Sequence, residues 1–267
     1  MKYLKSVSCL LLAGAMTMGS VFAGGNANAA TSYKYQLKPG VTYKYDLDGD
    51  KDKDSIKVYL SGEKLLLKVN NKTKIVKSNF DAESMKNTTV RIYDFNKNDK
   101  SSEVVVHTDI DDYGETNILK FKDGVCKLDK LYDDAEVSSY NPSNGMVSML
   151  ECHAGRYKKF VDAIGCFFCY DRVKINGFKA YNQYTAYATK DLKNNKYVVA
   201  QTMTAYKSAT SKAKAFTLKK DSKVGVYALY QKGNTRYVKV KNSDGKYGYI
   251  KAGSTLLFTK DSCLWFR

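Results

Sequence analysis

The sequence predicts an all-β protein, and three observations carry that prediction. Tyr and Phe are abundant, at 22 and 11 residues, while Pro occurs only twice, a composition suited to pleated, half-buried surfaces. Tyr, Val, Ile and Thr alternate with Lys and Asp over short runs, the period-2 pattern of strands with one wet face. Turn signals such as Ser61-Gly62, Asp123-Gly124 and Asp244-Gly245 punctuate these runs at hairpin spacing. Beyond the N-terminal segment, no stretch keeps the apolar period of a helix of three or more turns.

Taken in order, residues 1–29 read as a signal peptide. Lys2 and Lys5 precede an apolar run at 7–16, and Ala27-Asn28-Ala29 supplies small residues for cleavage after Ala29. The run is shorter than the roughly 20 apolar residues of a spanning helix, so no membrane span is expected. Cys9 lies inside it rather than at its end, which argues against a lipid anchor. The expectation is a protein released outside a Gram-positive type of cell, extracellular or wall-associated.

Residues 30–200 carry a repeat. Tyr45-Asp46-Leu47-Asp48-Gly49-Asp50 is echoed 48 residues later by Tyr93-Asp94-Phe95-Asn96-Lys97-Asn98, and each is followed by a strand-like run, at 55–60 and 103–106. A third copy is expected 47 residues further on, at Tyr140-Asn141-Pro142-Ser143-Asn144-Gly145, followed by a strand at 146–150. Runs at 64–69 and 117–121 supply further strands, the latter leading into Lys122-Asp123-Gly124. A unit of about 48 residues with several short strands has the size of a propeller blade.

The motifs DLDGDKDKD at 46–54 and DFNKNDKSSE at 94–103, with Asp111-Asp112-Tyr113 and Lys122-Asp123-Gly124, resemble the FG-GAP and VCBS type of repeat. That resemblance covers residues 32–197 and implies blade-like units. Three units are fewer than closed propellers use, so a three-bladed arrangement and a β-sandwich both stay open.

The first acidic loop also has the spacing of a calcium site. Asp46, Asp48 and Asp50 stand at positions 1, 3 and 5, Asp52 offers its carbonyl at 7, and Asp54 closes at 9. Hard cations take six to eight oxygens from such alternating ligands. An EF-hand is excluded, because position 12 is Lys57 and Lys51 replaces the turn glycine. The competing reading is a solvated acidic turn eased by Lys51 and Lys53. The second loop offers Asp94, Asn96, Asn98 and Glu103 as a weaker set, or a turn closed by Asx contacts without metal. Calcium is the expected cofactor, in a structural role.

Residues 201–267 change character. Strands are expected at 215–218, 224–230, 236–240 and 247–251. From Val198 onward, fourteen Lys and Arg face only Asp221, Asp244 and Asp261, a local excess of eleven positive charges. Tyr206-Lys207-Ser208, the turn and strand at 220–224, Tyr237-Val238-Lys239-Val240 and above all Asp244-Gly245-Lys246-Tyr247-Gly248-Tyr249-Ile250 resemble a bacterial SH3 (SH3b) domain, with Tyr249 where that family usually has Trp. The resemblance implies a small barrel that contacts peptidoglycan or its peptides. The ligand residues expected on one face are Tyr206, Tyr237, Tyr247, Tyr249, Lys239 and Lys246.

Charge concentrated at one end speaks about partners rather than fold. Outside such a cell it points to peptidoglycan or teichoic acid, with no nucleic-acid role, and the chain is expected to be monomeric. The alternative is a soluble carbohydrate- or protein-recognition module whose C-terminal barrel is structural. Catalysis is not expected. Cys166 and Cys169 form a CxxC with Cys152-His153 upstream, but a strand at 165–175 would send thiols three apart to opposite faces, leaving them as small packing residues. Only His107 and His153 are available as bases.

Overall fold

The computed structural model describes residues 32–110, 113–152 and 156–264. Residues 1–31, where a signal peptide is expected, and Asp111, Asp112 and His153 lie outside the described residues. The fold is all-β. Among the described residues, twenty strands are accompanied by three α-helices of at most five residues, α1 (Ala82–Lys86), α2 (Val161–Ile164) and α3 (Lys190–Asn194).

Three four-stranded antiparallel meanders follow one another. The first joins β2 (Thr42–Tyr45), β3 (Asp54–Leu60), β4 (Lys64–Val69) and β5 (Lys72–Ser78). The second joins β6 (Thr88–Tyr93), β7 (Glu103–Ile110), β8 (Tyr113–Lys122) and β9 (Val125–Tyr132), with β1 (Tyr35–Gln36) added on the free edge of β6. The third joins β10 (Ala135–Asn141), β11 (Met146–Cys152), β12 (Phe168–Asn176) and β13 (Lys179–Asn182). In each meander a two-residue turn joins the last two strands, and its first residue has positive φ: Asn70 at 53°, Asp123 at 51° and Gly177 at 55°. Such turns match the twist of the strands they join.

Their packing explains the patterning. Leu47, Ile56, Val58, Leu65 and Leu67 of the first meander meet Val90, Ile92, Val104 and Val106 of the second in one core. Val105 and Ile118 leave the opposite face of the second meander and pack with Val147, Met149, Val173 and Ile175 of the third. Strand β7 is therefore covered on both sides, which is why it reads Val104-Val105-Val106 without alternation.

The third meander opens into a larger sheet. Strand β12 also pairs β14 (Thr185–Ala188), and the path continues through β18 (Lys223–Lys232), β19 (Thr235–Lys241), β20 (Tyr247–Lys251), β16 (Met203–Tyr206) and β17 (Lys214–Leu218), while β15 (Tyr197–Val198) pairs β18. This sheet is open, which corrects the expectation of a closed C-terminal barrel. One core lies beneath it, in which Tyr157, Phe160, Ile164, Phe167, Leu192 and Tyr197 pack with Val226, Leu229, Val238, Val240 and Phe258. The expected boundary at 200/201 falls inside that core.

The strand expected at 165–175 starts instead at Phe168. Helix α2 ends at Gly165 (φ +79°), where a Cβ would lie 2.7 Å from the Leu264 carbonyl oxygen, and Cys166 N–H donates to that carbonyl at 2.8 Å. Cys166 thus precedes the strand, and Cys169 is buried within it.

Candidate functional site

The loop between β2 and β3 turns its carboxylates onto its own backbone. Asp46 accepts from the Gly49 and Lys51 N–H groups at 2.7 and 2.9 Å, and Asp50 accepts from Asp52 N–H at 2.7 Å. Gly49 (φ +79°) has no room for a side chain, since a Cβ would stand 2.4 Å from the Lys100 carbonyl oxygen. The first loop thereby lies directly on the second. Asp48 reaches the second meander too, accepting from Asp123 N–H at 2.9 Å.

The outcome is a cluster of Asp46, Asp48 and Asp50 with ligand oxygens within 4.8 Å of one another. The Asp52 N–H lowers the Asp50 pKa, but desolvation and the charges of Asp48, Asp52 and Asp46 outweigh it and hold Asp50 above the ordinary carboxylate range. This donor set suits a hard cation, which would relieve that repulsion.

The carboxylates of Asp52 and Asp54 are not among these oxygens. Asp54 is buried at the start of β3, where it accepts from Leu47 N–H at 2.9 Å and from Asn70 Nδ2 at 2.6 Å. It braces the loop from inside.

Glu103 is its counterpart in the second loop, accepting from Phe95 N–H at 2.9 Å. Beside it lies Lys120, fully buried, with Nζ 2.9 Å from Glu103 Oε1 and 2.8 Å from Asp99 Oδ2. Burial raises the Glu103 carboxyl to about 7 against the opposing pull of Lys120. Asn96 and Asn98 turn to neighbouring backbone, Asn96 Nδ2 donating to Ile175 O at 3.3 Å and Asn98 Nδ2 to Ser143 O at 2.7 Å. The amide N–H groups of Asn96 and Asn98 are thus engaged with backbone, and a lysine ammonium supplies the positive charge beside Glu103.

A second candidate surface lies on the outer face of the large sheet. Its register aligns Tyr170, Tyr187, Ala228, Lys239, Tyr249 and Tyr206 in one cross-strand row through β12, β14, β18, β19, β20 and β16. A parallel row holds Thr185, Tyr230, Tyr237 and Lys251. Cations lie over rings throughout: Lys239 Nζ is 4.8 Å from the Tyr247 centroid and 5.8 Å from that of Tyr249. Lys241 reaches Tyr227 and Tyr247, and Arg172 reaches Tyr187 at 5.5 Å. Five of the six expected ligand residues, Tyr206, Tyr237, Lys239, Tyr247 and Tyr249, share this face. Lys246 is exposed on the preceding turn, its N–H donating to Asn242 Oδ1 at 2.9 Å.

None of the outward residues of β12, β14, β18, β19 and β20 is acidic. The single carboxylate in those strands, Asp171, points inward and is buried. No family model, curated protein or solved structure matches this chain.

Sequence reasoning missed Tyr170, Arg172 and Tyr187. Alternation along 168–176 already placed Tyr170 and Arg172 on the face opposite Asp171, but their partners follow only from the β12–β14 pairing. It also missed the buried polar group under this face. Arg156 donates to Asp171 at 2.7 Å, Tyr157 OH donates to the same carboxylate at 3.2 Å, and Tyr157 N–H donates to Glu151 at 3.2 Å. Burial, and then the charge of Asp171, push Glu151 up to about 8. Burial raises Asp171 to about 6 although Arg156 pulls it down. A further polar constellation is His107 between Asp109 and Thr116. Thr116 is fully buried and its hydroxyl donates to the Ala135 carbonyl, so it presents no nucleophile to solvent.

Proposed function

We propose that this is a secreted, non-catalytic binding protein whose basic C-terminal strands hold cell-wall polymer and whose first acidic loop holds a structural calcium ion. The observation that carries the binding role is the grouping of Tyr206, Tyr237, Tyr247, Tyr249 and Lys239 on one outer face with no carboxylate among them. Flat rings with polar tips cover sugars and peptides while tolerating water, and the ammonium groups over them answer an anionic partner. For calcium, Asp46, Asp48 and Asp50 would supply carboxylate oxygens, and the ion would fix the loop against Lys100 and Asp123. The blade-like character of the three meanders and the SH3b likeness of the C-terminal strands belong to this reading.

Sedimentation of the full chain with purified cell wall tests it. Binding is expected at low salt and reduced binding at high salt, since exposed charges are screened beyond about 8–10 Å at physiological ionic strength. Tyr247→Ala with Tyr249→Ala is expected to lose most of it. No binding at low salt would leave the second reading, recognition of a soluble carbohydrate or protein with a structural C-terminal sheet. The core that this sheet shares with residues 157–197 favours at least a structural contribution.

A further inference from the structure

We infer that the binding face is a single track reaching from the C-terminal strands onto β12 and β14, and that its occupant is a linear phosphate-bearing polyol or sugar polymer of the teichoic-acid kind. This rests on the wall-binding reading above. The row from Tyr170 to Tyr206 crosses six strands, about 24 Å at the usual spacing between neighbouring strands. Ala228 lies in this row between Tyr187 and Lys239 and is buried, so the pairing runs from one half of the row to the other without a gap. The pKa of the Tyr249 phenol is raised by burial and then by Tyr187, which places these rings from opposite halves within electrostatic reach.

The chemistry of the track selects its occupant. Arg172, Lys174, Lys232, Lys239, Lys241 and Lys251 face outward with no acid between them. A neutral glycan would leave this concentration of like charge unanswered, whereas evenly spaced phosphates match it. Aromatic faces beside cations suit a chain in which apolar C–H surfaces alternate with anions. A compact anion would use one end of the row, and only a polymer would use both.

The test is calorimetric titration of the full chain with purified poly(ribitol phosphate) at two salt concentrations. Arg172→Gln and Tyr187→Ala are each expected to weaken binding roughly 3- to 10-fold, the size of one lost ring or cation contact. Tyr187→Phe keeps the ring and is expected to bind like the parent. Tyr249→Ala reports on the C-terminal half. If Tyr249→Ala weakens binding while Arg172→Gln and Tyr187→Ala do not, the track ends at the C-terminal strands and the inference falls, leaving the wall-binding function intact. If none of the three weakens binding, both fall. Equal binding to wall stripped of phosphate polymer would make peptidoglycan the partner and overturn the polymer assignment. Equal binding of a single-stranded oligonucleotide would overturn it as well, by showing that any polyanion suffices.

Discussion

Lys120 is a charged residue with no exposure, between Asp99 and Glu103. Removing one member of such a group leaves the other charge buried and unpaired, at a cost of about 3–5 kcal/mol. Lys120→Met is expected to destabilise the protein by that order at pH 8 and by less at pH 5, where a protonated Glu103 needs no counter-ion; denaturant unfolding at the two pH values measures the difference. Glu151 gives the opposite test. Its folded pKa of about 8 stands above the ordinary 4.5, so the folded state binds the extra proton. Stability from this group is full below pH 4.5 and lost as pH rises toward 8. Asp171 adds loss in the same direction between 3.8 and about 6. Glu151→Gln retains an oxygen for Tyr157 N–H, so it is expected to flatten the decline in melting temperature between pH 5 and 9. A parent equally stable at both would show that this carboxyl is solvated. Neither residue stood out in the sequence, because a Lys and a Glu on alternating strands look like outward positions until the packing of both faces is known.

At the scale of elements, the acidic loops were legible and their division of labour was not. Spacing identified Asp46, Asp48 and Asp50 correctly as neighbours, but Asp54 begins β3 on its buried side, which a loop register does not reveal. Strands at 64–69, 236–240 and 247–251 were readable because each alternates against one core. The run at 165–175 was misjudged at its start, since a short helix closed by Gly165 carries no period of its own. If the first loop holds calcium, the ion binds the folded chain alone and stabilises it by mass action, about 2.7 kcal/mol at 100 times its dissociation constant. EDTA is then expected to lower the melting temperature by about 5 °C or more, using roughly 2–4 °C per kcal/mol for a chain of this size, and added Ca²⁺ to restore it. Asp48→Asn with Asp50→Asn should be insensitive to both treatments. An unchanged EDTA response in that variant would place the ion elsewhere.

Across the whole molecule, the composition break near residue 200 suggested two domains, whereas the sheet and the core beneath it run through that point. Composition reports on the outer face, where Lys and Tyr accumulate, and is blind to what lies underneath. There, β15 takes its ladder from β18, and β14 one of its two. A cut at 200/201 would strip cover from Tyr157, Phe160, Ile164, Phe167, Leu192 and Tyr197. At roughly 1.5–3 kcal/mol for each large apolar side chain, six of them amount to about 10 kcal/mol or more, comparable with the entire stability of a typical domain. Fragment 201–264 is therefore expected to lack a cooperative unfolding transition, fragment 32–200 to keep only the transition of the cores between its meanders, and the third meander and C-terminal strands of the full chain to melt together. Scanning calorimetry decides it: a sharp transition in the isolated 201–264 fragment would mean that those strands fold on their own, and that the core they share with residues 157–197 is an interface between two domains.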